Sequence, residues 1–272
     1  MLDDRQRAML AEMGIKVWQP PASPARPAKS AAASAPSAAN ARPAAASAPR
    51  PTPAPAASPA AQAAAPALGP RPVGVESMDW PALQAAVAGC RACGLCAGRT
   101  QTVFGAGSRA ADWMVVGEAP GENEDRQGQP FVGQAGKLLD NMLAAIGLSR
   151  QASAGSAQGV EKQGVYIANV LKCRPPGNRN PQPDEVAQCE PYLRRQVALV
   201  QPRIILAMGR FAVQSLLQTT EPIGRLRGRV HQYQGVPVIV TYHPAYLLRA
   251  LSEKAKAWQD LCLAMKVAHG PA

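Results

Sequence analysis

Three short apolar runs, each closed by a polar segment, restrict this chain more than any other feature. Residues 113–117 (WMVVG) run into Glu118-Ala119-Pro120-Gly121, residues 165–167 (VYI) lead into Asn169, and residues 236–241 (VPVIVT) run into Tyr242-His243-Pro244. Short β-branched runs alternating with helical stretches read as strands of a parallel sheet in a doubly wound α/β domain. In such sheets the ligand crevice lies outside the carboxyl ends of the strands. Glu118, Asn169 and His243 therefore meet at one sheet edge although they lie far apart in sequence. That edge is the first candidate site.

The remaining pattern is consistent with one α/β unit. Ser77 is placed to cap a helix running to Val87, followed by Cys90-Arg-Ala-Cys93-Gly-Leu-Cys96. Then come strand 113–117, helix 134–146, strand 165–170, helix 183–200, strand 203–207, helix 210–217, strand 236–241 and helix 253–267. The segment 149–163, rich in Ser, Gly, Ala and Gln, reads as a surface loop, and no internal repeat is present.

The N-terminal quarter follows other rules. Between residues 20 and 67 there is no Leu, Ile, Val, Met or aromatic residue and no Asp or Glu. Such a segment buries too little apolar surface to offset the entropy of ordering, so disorder is expected. Proline stiffens it toward about 3.1 Å per residue, the form of a semi-rigid tether. The chain thus divides into an amphipathic peptide over 1–19, an Ala/Pro/Ser-rich linker over 20–75, and a folded domain over 76–272. Leu2, Met9, Leu10 and Met13 give a helix over 3–13 a partial apolar face. That peptide reads either as a docking motif for a protein partner or as a frayed terminus.

The net charge of +11 divides unevenly: residues 1–19 balance, residues 20–74 contribute +5, and +6 remains on residues 75–272. A folded domain with this excess suits a polyanion, nucleic acid first, although a merely basic protein has the same charge. Asp3 and Asp4 interrupt any secretory signal and no run reaches the length of a membrane span. A cytoplasmic protein without a membrane partner is expected, and there cysteines mean metal ligands or buried thiols more than disulfides.

Cys90 and Cys93 form a C-x2-C, as do Cys93 and Cys96, and Cys173 and Cys189 follow downstream. Two residues between thiolates let both reach one metal ion or cluster. Four thiolates do not separate zinc from an iron–sulfur cluster, and spacing alone does not say which of the first three cysteines is spare. Cys262, near Leu261, Leu263 and Met265, reads as a buried filler.

Several motifs together resemble the family 4, or iron–sulfur, uracil-DNA glycosylases. They are Gly117-Glu-Ala-Pro-Gly-Glu-Asn-Glu-Asp125, Gly128-Gln-Pro-Phe-Val-Gly-Gln-Ala-Gly136, Asn169-Val-Leu-Lys-Cys-Arg-Pro-Pro-Gly-Asn178 and His243-Pro-Ala-Tyr-Leu-Leu-Arg249. The likeness runs from about Cys90 to about Trp258 and does not cover residues 1–75. It implies a three-layer α/β sandwich with a central four-stranded parallel sheet flanked by helices. It also implies a [4Fe–4S] cluster on Cys90, Cys93, Cys173 and Cys189, with Cys96 spare, and a monomer acting on uracil-containing DNA, single- or double-stranded. The extra Cys96, Ala168 where a hydroxyl residue is common, and the long tail depart from the family pattern.

The reaction implied is hydrolysis of the N-glycosidic bond of deoxyuridine, which leaves an abasic site and initiates base excision repair. An oxocarbenium-like sugar and a uracil anion develop together, so both charges need stabilising. The resemblance assigns His243 to the uracil O2, where a neutral imidazole suffices as donor. Glu118, ranked before Glu124 with Asp125 also in the loop, is expected to orient water and offset the sugar's charge. Each of these acids has a second reading as a solvated or capping residue. Asn169 offers a donor and an acceptor to the uracil edge, Phe131 a stacking face for the extruded base, and Ala119 a further substrate contact.

Leu247, with Leu248, reads as a wedge for the vacated space or as the start of a core-facing helix. Arg249, with Arg225, Arg227 and Arg229, is expected at phosphates. Two rival readings are a metal-stabilised DNA-binding module without catalysis and a relative that traps uracil covalently through an inserted basic loop. The segment after Cys173 lacks such an insertion.

Overall fold

The computed structural model describes residues 68–151 and 163–270. The peptide over 1–19, nearly all of the linker and the middle of the expected loop over 149–163 lie outside the described residues.

Among the described residues seven strands form the sheet: β1 (Ala106–Gly107), β2 (Trp113–Gly117), β3 (Leu148–Ser149), β4 (Gln163–Asn169), β5 (Ile204–Met208), β6 (Val230–Tyr233) and β7 (Val236–Thr241). The spatial order is β1-β4-β2-β5-β7-β6, with β3 on β4. The four expected strands, β4, β2, β5 and β7, are its parallel centre. The sheet as a whole is mixed, because β1 and β6 add antiparallel edges and β3 a short parallel one. The edge strands are short or half polar, so they carried no apolar run to announce them. β6 turns into β7 through Gln234-Gly235, with φ 50° and 79°, the geometry of a primed hairpin turn.

Alternation along the central strands sends side chains to both faces. Met114 and Val116 of β2 pack with Ile205 and Ala207 of β5 on one face; Trp113 and Val115 pack with Ile204 and Leu206 on the other. All five residues of β2 and of β5 are buried, as expected of parallel strands covered on both sides. The first face is covered by α4 (Pro183–Val200) through Leu193 and Val197, and by α5 (Arg210–Leu217) through Val213 and Leu216. The second is covered by α3 (Gln134–Ala145) through Leu139 and Leu143, and by α8 (Lys254–His269) through Leu261 and Ala264. Each leucine, isoleucine, valine or methionine among these contributes about 1.5–3 kcal/mol through burial.

The helix expected from Ser77 starts later. In α1 (Trp80–Ala88) the cap is Asp79, whose carboxylate accepts from the Ala82 N–H at 3.0 Å. Two short helices were not expected, α2 (Glu122–Gln127) and α6 (Ile223–Leu226), and α7 (Pro244–Leu247) follows β7 directly. Val75, assigned to the linker from the sequence, is 2% exposed and packs with Leu83, Val87, Phe104 and Tyr192. The packed unit therefore reaches back at least to residue 75. Among the described residues no helix is long and apolar enough to cross a membrane.

Candidate active site

The parallel strands succeed one another in space as second, first, third, fourth in chain order, so the order reverses between β2 and β5. A crevice opens where such a reversal occurs. Here a cleft of about 670 Å³ lies over the carboxyl ends of all four parallel strands. Glu118 follows β2, Asn169 ends β4, Gly209-Arg210 follows β5, and His243 stands just beyond β7; all of them line the cleft. The three residues expected to meet do meet. Gly209 and Arg210 were missed, although the run over 203–207 ends at them just as 113–117 ends at Glu118.

Close approach at the floor depends on glycine. A Cβ at Gly117 would overlap Asn169 Oδ1 and the Phe131 ring, and one at Gly209 would press on His243 Cβ at 3.0 Å. Asn169 is 2% exposed, and its Oδ1 has no hydrogen-bond partner within the protein. Leaving a buried acceptor unpaired costs about 1–3 kcal/mol, and this one belongs to a residue that lines the cleft.

His243 caps α7, and its Nδ1 accepts from the Ala245 N–H at 3.2 Å. Burial pushes the imidazole down to about 4, with Glu124 opposing and Arg249 adding to the effect. At neutral pH the ring is therefore uncharged. Because Nδ1 is an acceptor, the ring proton sits on Nε2. Glu118 is half-buried, and desolvation raises its carboxyl to about 6 against the opposing charge of Arg210. It is mostly ionised at pH 7.

Phe131 lies against His243, ring centroids 5.4 Å apart and planes 27° from parallel. Read from the sequence as a loop residue outside the core, it is 6% exposed and packs with the core on the β2–β5 face. Its φ of 54° is rare for an aromatic residue. Neighbouring groups hold it there. Arg150 donates to the Pro130 and Phe131 carbonyls at 2.8 and 3.0 Å, and Glu124 Oε1 accepts from the Val132 and Gly133 N–H groups at 2.9 and 3.1 Å.

That clamp corrects the role considered for Glu124. Its second oxygen accepts from the Gly121 N–H at 3.1 Å, so both oxygens are engaged by backbone and it positions the two loops around Glu118 and Phe131. Asp125, buried, accepts from the Thr100 N–H with both oxygens and ties a third segment to the same place.

Ala119, Arg249 and Tyr246 also line the cleft. Leu247 does not. It is 1% exposed because α7 packs its inner face on α3, whereas Tyr246 and Leu248 are 40% and 42% exposed. The burial of Leu247 matches the other reading, a core-facing helix, and not the expected wedge. Arg227 is likewise no free phosphate ligand: it pairs with buried Asp260 through Nε at 2.7 Å and Nη2 at 2.9 Å, and it stacks on Tyr242.

Behind the Asn169 turn lies a small closed space lined by Cys90, Cys93, Cys96, Cys173 and Cys189. Arg99 enters it and donates to Cys173 Sγ at 3.1 Å. Burial pushes the Cys173 thiol up to about 11 against Arg99, and the Cys189 thiol up to about 12 against the Lys172 backbone N–H. Among the described residues no three His, Cys, Asp or Glu side chains are gathered tightly enough for a single metal ion. Cys262 lies apart in α8, half-buried.

The model of the uracil DNA glycosylase superfamily matches residues 104–262. The chain is 45% identical over 167 residues to a type-4 uracil-DNA glycosylase of Archaeoglobus fulgidus, covering 58% of this chain and 78% of that protein. It is 40% identical over 169 residues to one of Thermotoga maritima (61% and 82% covered) and 37% identical over 194 residues to one of Pyrobaculum aerophilum (68% and 93% covered). The chain is a type-4 uracil-DNA glycosylase family member. The superfamily match takes in Glu118, Phe131, Asn169, Cys173, Cys189 and His243 and begins after Cys90 and Cys93. The cleft is assembled from four strand ends and the Phe131 loop, and the cysteine-lined space from two distant parts of the chain.

Proposed function

We propose that the protein hydrolyses the N-glycosidic bond of deoxyuridine in DNA and so opens a base-excision repair event. The observation that carries this reading is that Asn169, whose buried Oδ1 is unpaired, and His243, whose Nδ1 is already engaged by the Ala245 N–H, line one cleft. Uracil presents a donor at N3 and an acceptor at O2. Oδ1 accepts from N3–H, a proton that cytosine lacks, so the wrong base leaves a buried acceptor unmatched. His243 donates from Nε2 to O2 and strengthens that bond as the base departs with negative charge. Phe131, its ring held against His243, supplies the stacking face for the base. Glu118, ionised at neutral pH, orients the attacking water and offsets positive charge on the sugar. Arg249 and Arg210 at the rim are suited to phosphates, and Ala119 bounds the base pocket.

The cysteine set fits a [4Fe–4S] cluster on Cys90, Cys93, Cys173 and Cys189. All four cysteines line one small space beside Arg99 and Lys172, so their thiolates would hold the cluster there. Held there, it would tie the segment before β1 to the turn that follows Asn169.

To the same reading belong a catalytic domain over 76–272, extended to Val75 by its packing, and a linker over the residues before it; the amphipathic pattern over 1–19 supports either a docking motif for a protein partner or a frayed terminus. The protein is a monomer working on DNA in the cytoplasm. Release of uracil from labelled oligonucleotides carrying one uracil, single-stranded or opposite A or G, tests the activity. Tight DNA binding without release from any of them would leave only a binding module.

A further inference from the structure

Lys172 joins the two sites just described. It is 1% exposed, yet among the described residues no carboxylate pairs with it. Its Nζ donates to the Asn169 carbonyl at 2.7 Å and to Gln196 Oε1 at 2.6 Å. Gln196 is held in turn, donating to the Phe104 carbonyl at 2.8 Å and to the Tyr166 hydroxyl at 3.0 Å. Lys172 also lines the space shared by the five cysteines, next to Cys173 in sequence.

A buried lysine with only neutral oxygens for partners keeps its charge only where an anion lies nearby. Four thiolates on an iron–sulfur core form a net negative group, and Lys172 and Arg99 are the cations that line its enclosure. The bond to Asn169 runs the other way, toward the cleft. Asn169 is the last residue of β4, and its side chain has no partner of its own within the protein at Oδ1. The Lys172 ammonium therefore fixes the carbonyl of the residue that reads the base.

We infer that Lys172 is the counter-cation of the cysteine-held cluster and, through the Asn169 carbonyl, the positioning residue that couples the cluster to base recognition. The inference rests on the glycosylase and cluster reading above. It differs from ordinary core packing in requiring a charge, and it differs from a remote scaffold role for the cluster in requiring a direct link to Asn169.

Two variants of the full-length holoenzyme separate these requirements. Lys172→Met removes charge and hydrogen bonds at similar volume. Gln196→Glu keeps an oxygen on Nζ and cancels the ammonium's charge from the adjacent position, at the loss of the donations to the Phe104 carbonyl and the Tyr166 hydroxyl. Both should lower the midpoint potential of the cluster, because each removes net positive charge beside it. Lys172→Met should also lose iron faster to a chelator. Its single-turnover uracil release should fall about tenfold, the scale of a lost charged hydrogen bond, while Gln196→Glu keeps the Asn169 contact and stays within about twofold of the parent. Unchanged potentials in both variants at full iron content would overturn the counter-cation role. A parental rate in Lys172→Met would overturn the positioning role. Parent protein that held no iron, or released no uracil, would instead overturn the reading on which the inference rests.

Discussion

Replacing His243 by alanine removes one donor, and the structure says which and when it matters. Nδ1 is occupied by the Ala245 N–H, so Nε2–H is the donor the ring has left to offer a ligand in the cleft that it lines. Deleting a single preorganised donor to a developing anion costs about 2.7–4 kcal/mol, or about 10²–10³ in rate. In ground-state binding that donor meets a neutral carbonyl, so affinity for uracil DNA should change by less than about tenfold. Single-turnover release from a short single strand, followed from pH 4.5 to 8.5, measures both effects. Burial keeps His243 neutral down to about 4, whereas Glu118 takes up its proton near 6. The parent rate should therefore fall as pH drops through about 6. That limb should persist in His243→Ala, scaled down, and vanish in Glu118→Gln. A limb near 6 that vanished in the histidine variant and persisted in the glutamate variant would refute the assignment of protonation states. A loss below tenfold in His243→Ala would refute the role of Nε2–H.

The helix after His243 gives a second test: Leu248→Ala should slow release from duplex but not from single strands, since only duplex leaves a gap to fill. Leu247→Ala should instead destabilise the fold by about 2–5 kcal/mol, read as a lower denaturation midpoint, because its side chain is buried. Glu124→Gln, which weakens three backbone contacts, should lower activity and increase proteolysis near residues 130–133, with no loss of a pH limb. The proposed cluster predicts a brown, iron-containing protein whose colour and iron, measured by absorption and elemental analysis, are lost in Cys173→Ala and kept in Cys96→Ala. A chain beginning at residue 68 should retain uracil release from short oligonucleotides and show a shallower salt dependence of DNA binding, because the removed segment carries unopposed positive charge.

Much of the site was legible from the chain because the two periodicities that encode it are local. Apolar runs of five or six residues mark strands whatever surrounds them, and in a parallel sheet their carboxyl ends share one edge. Glu118, Asn169 and His243 were found on that basis alone, and the motif resemblance then assigned their chemistry. The two antiparallel edges were not legible, because an edge strand such as β6, with alternating exposed and half-buried residues, needs no apolar run.

Side-chain direction and pairing belonged to the tertiary structure. Two leucines in succession look alike until α3 packs on α7 and buries one of them. A glutamate in an acidic loop looks available until backbone donors from two separate loops engage both its oxygens. Lys172 read as one residue within a motif until folding brought it between Asn169 and the cysteines. Sequence alone determined which residues lie at strand ends, because that depends on local pattern. The tertiary structure decided which of them are free to act on a ligand, because that depends on contacts made by residues far away in the chain.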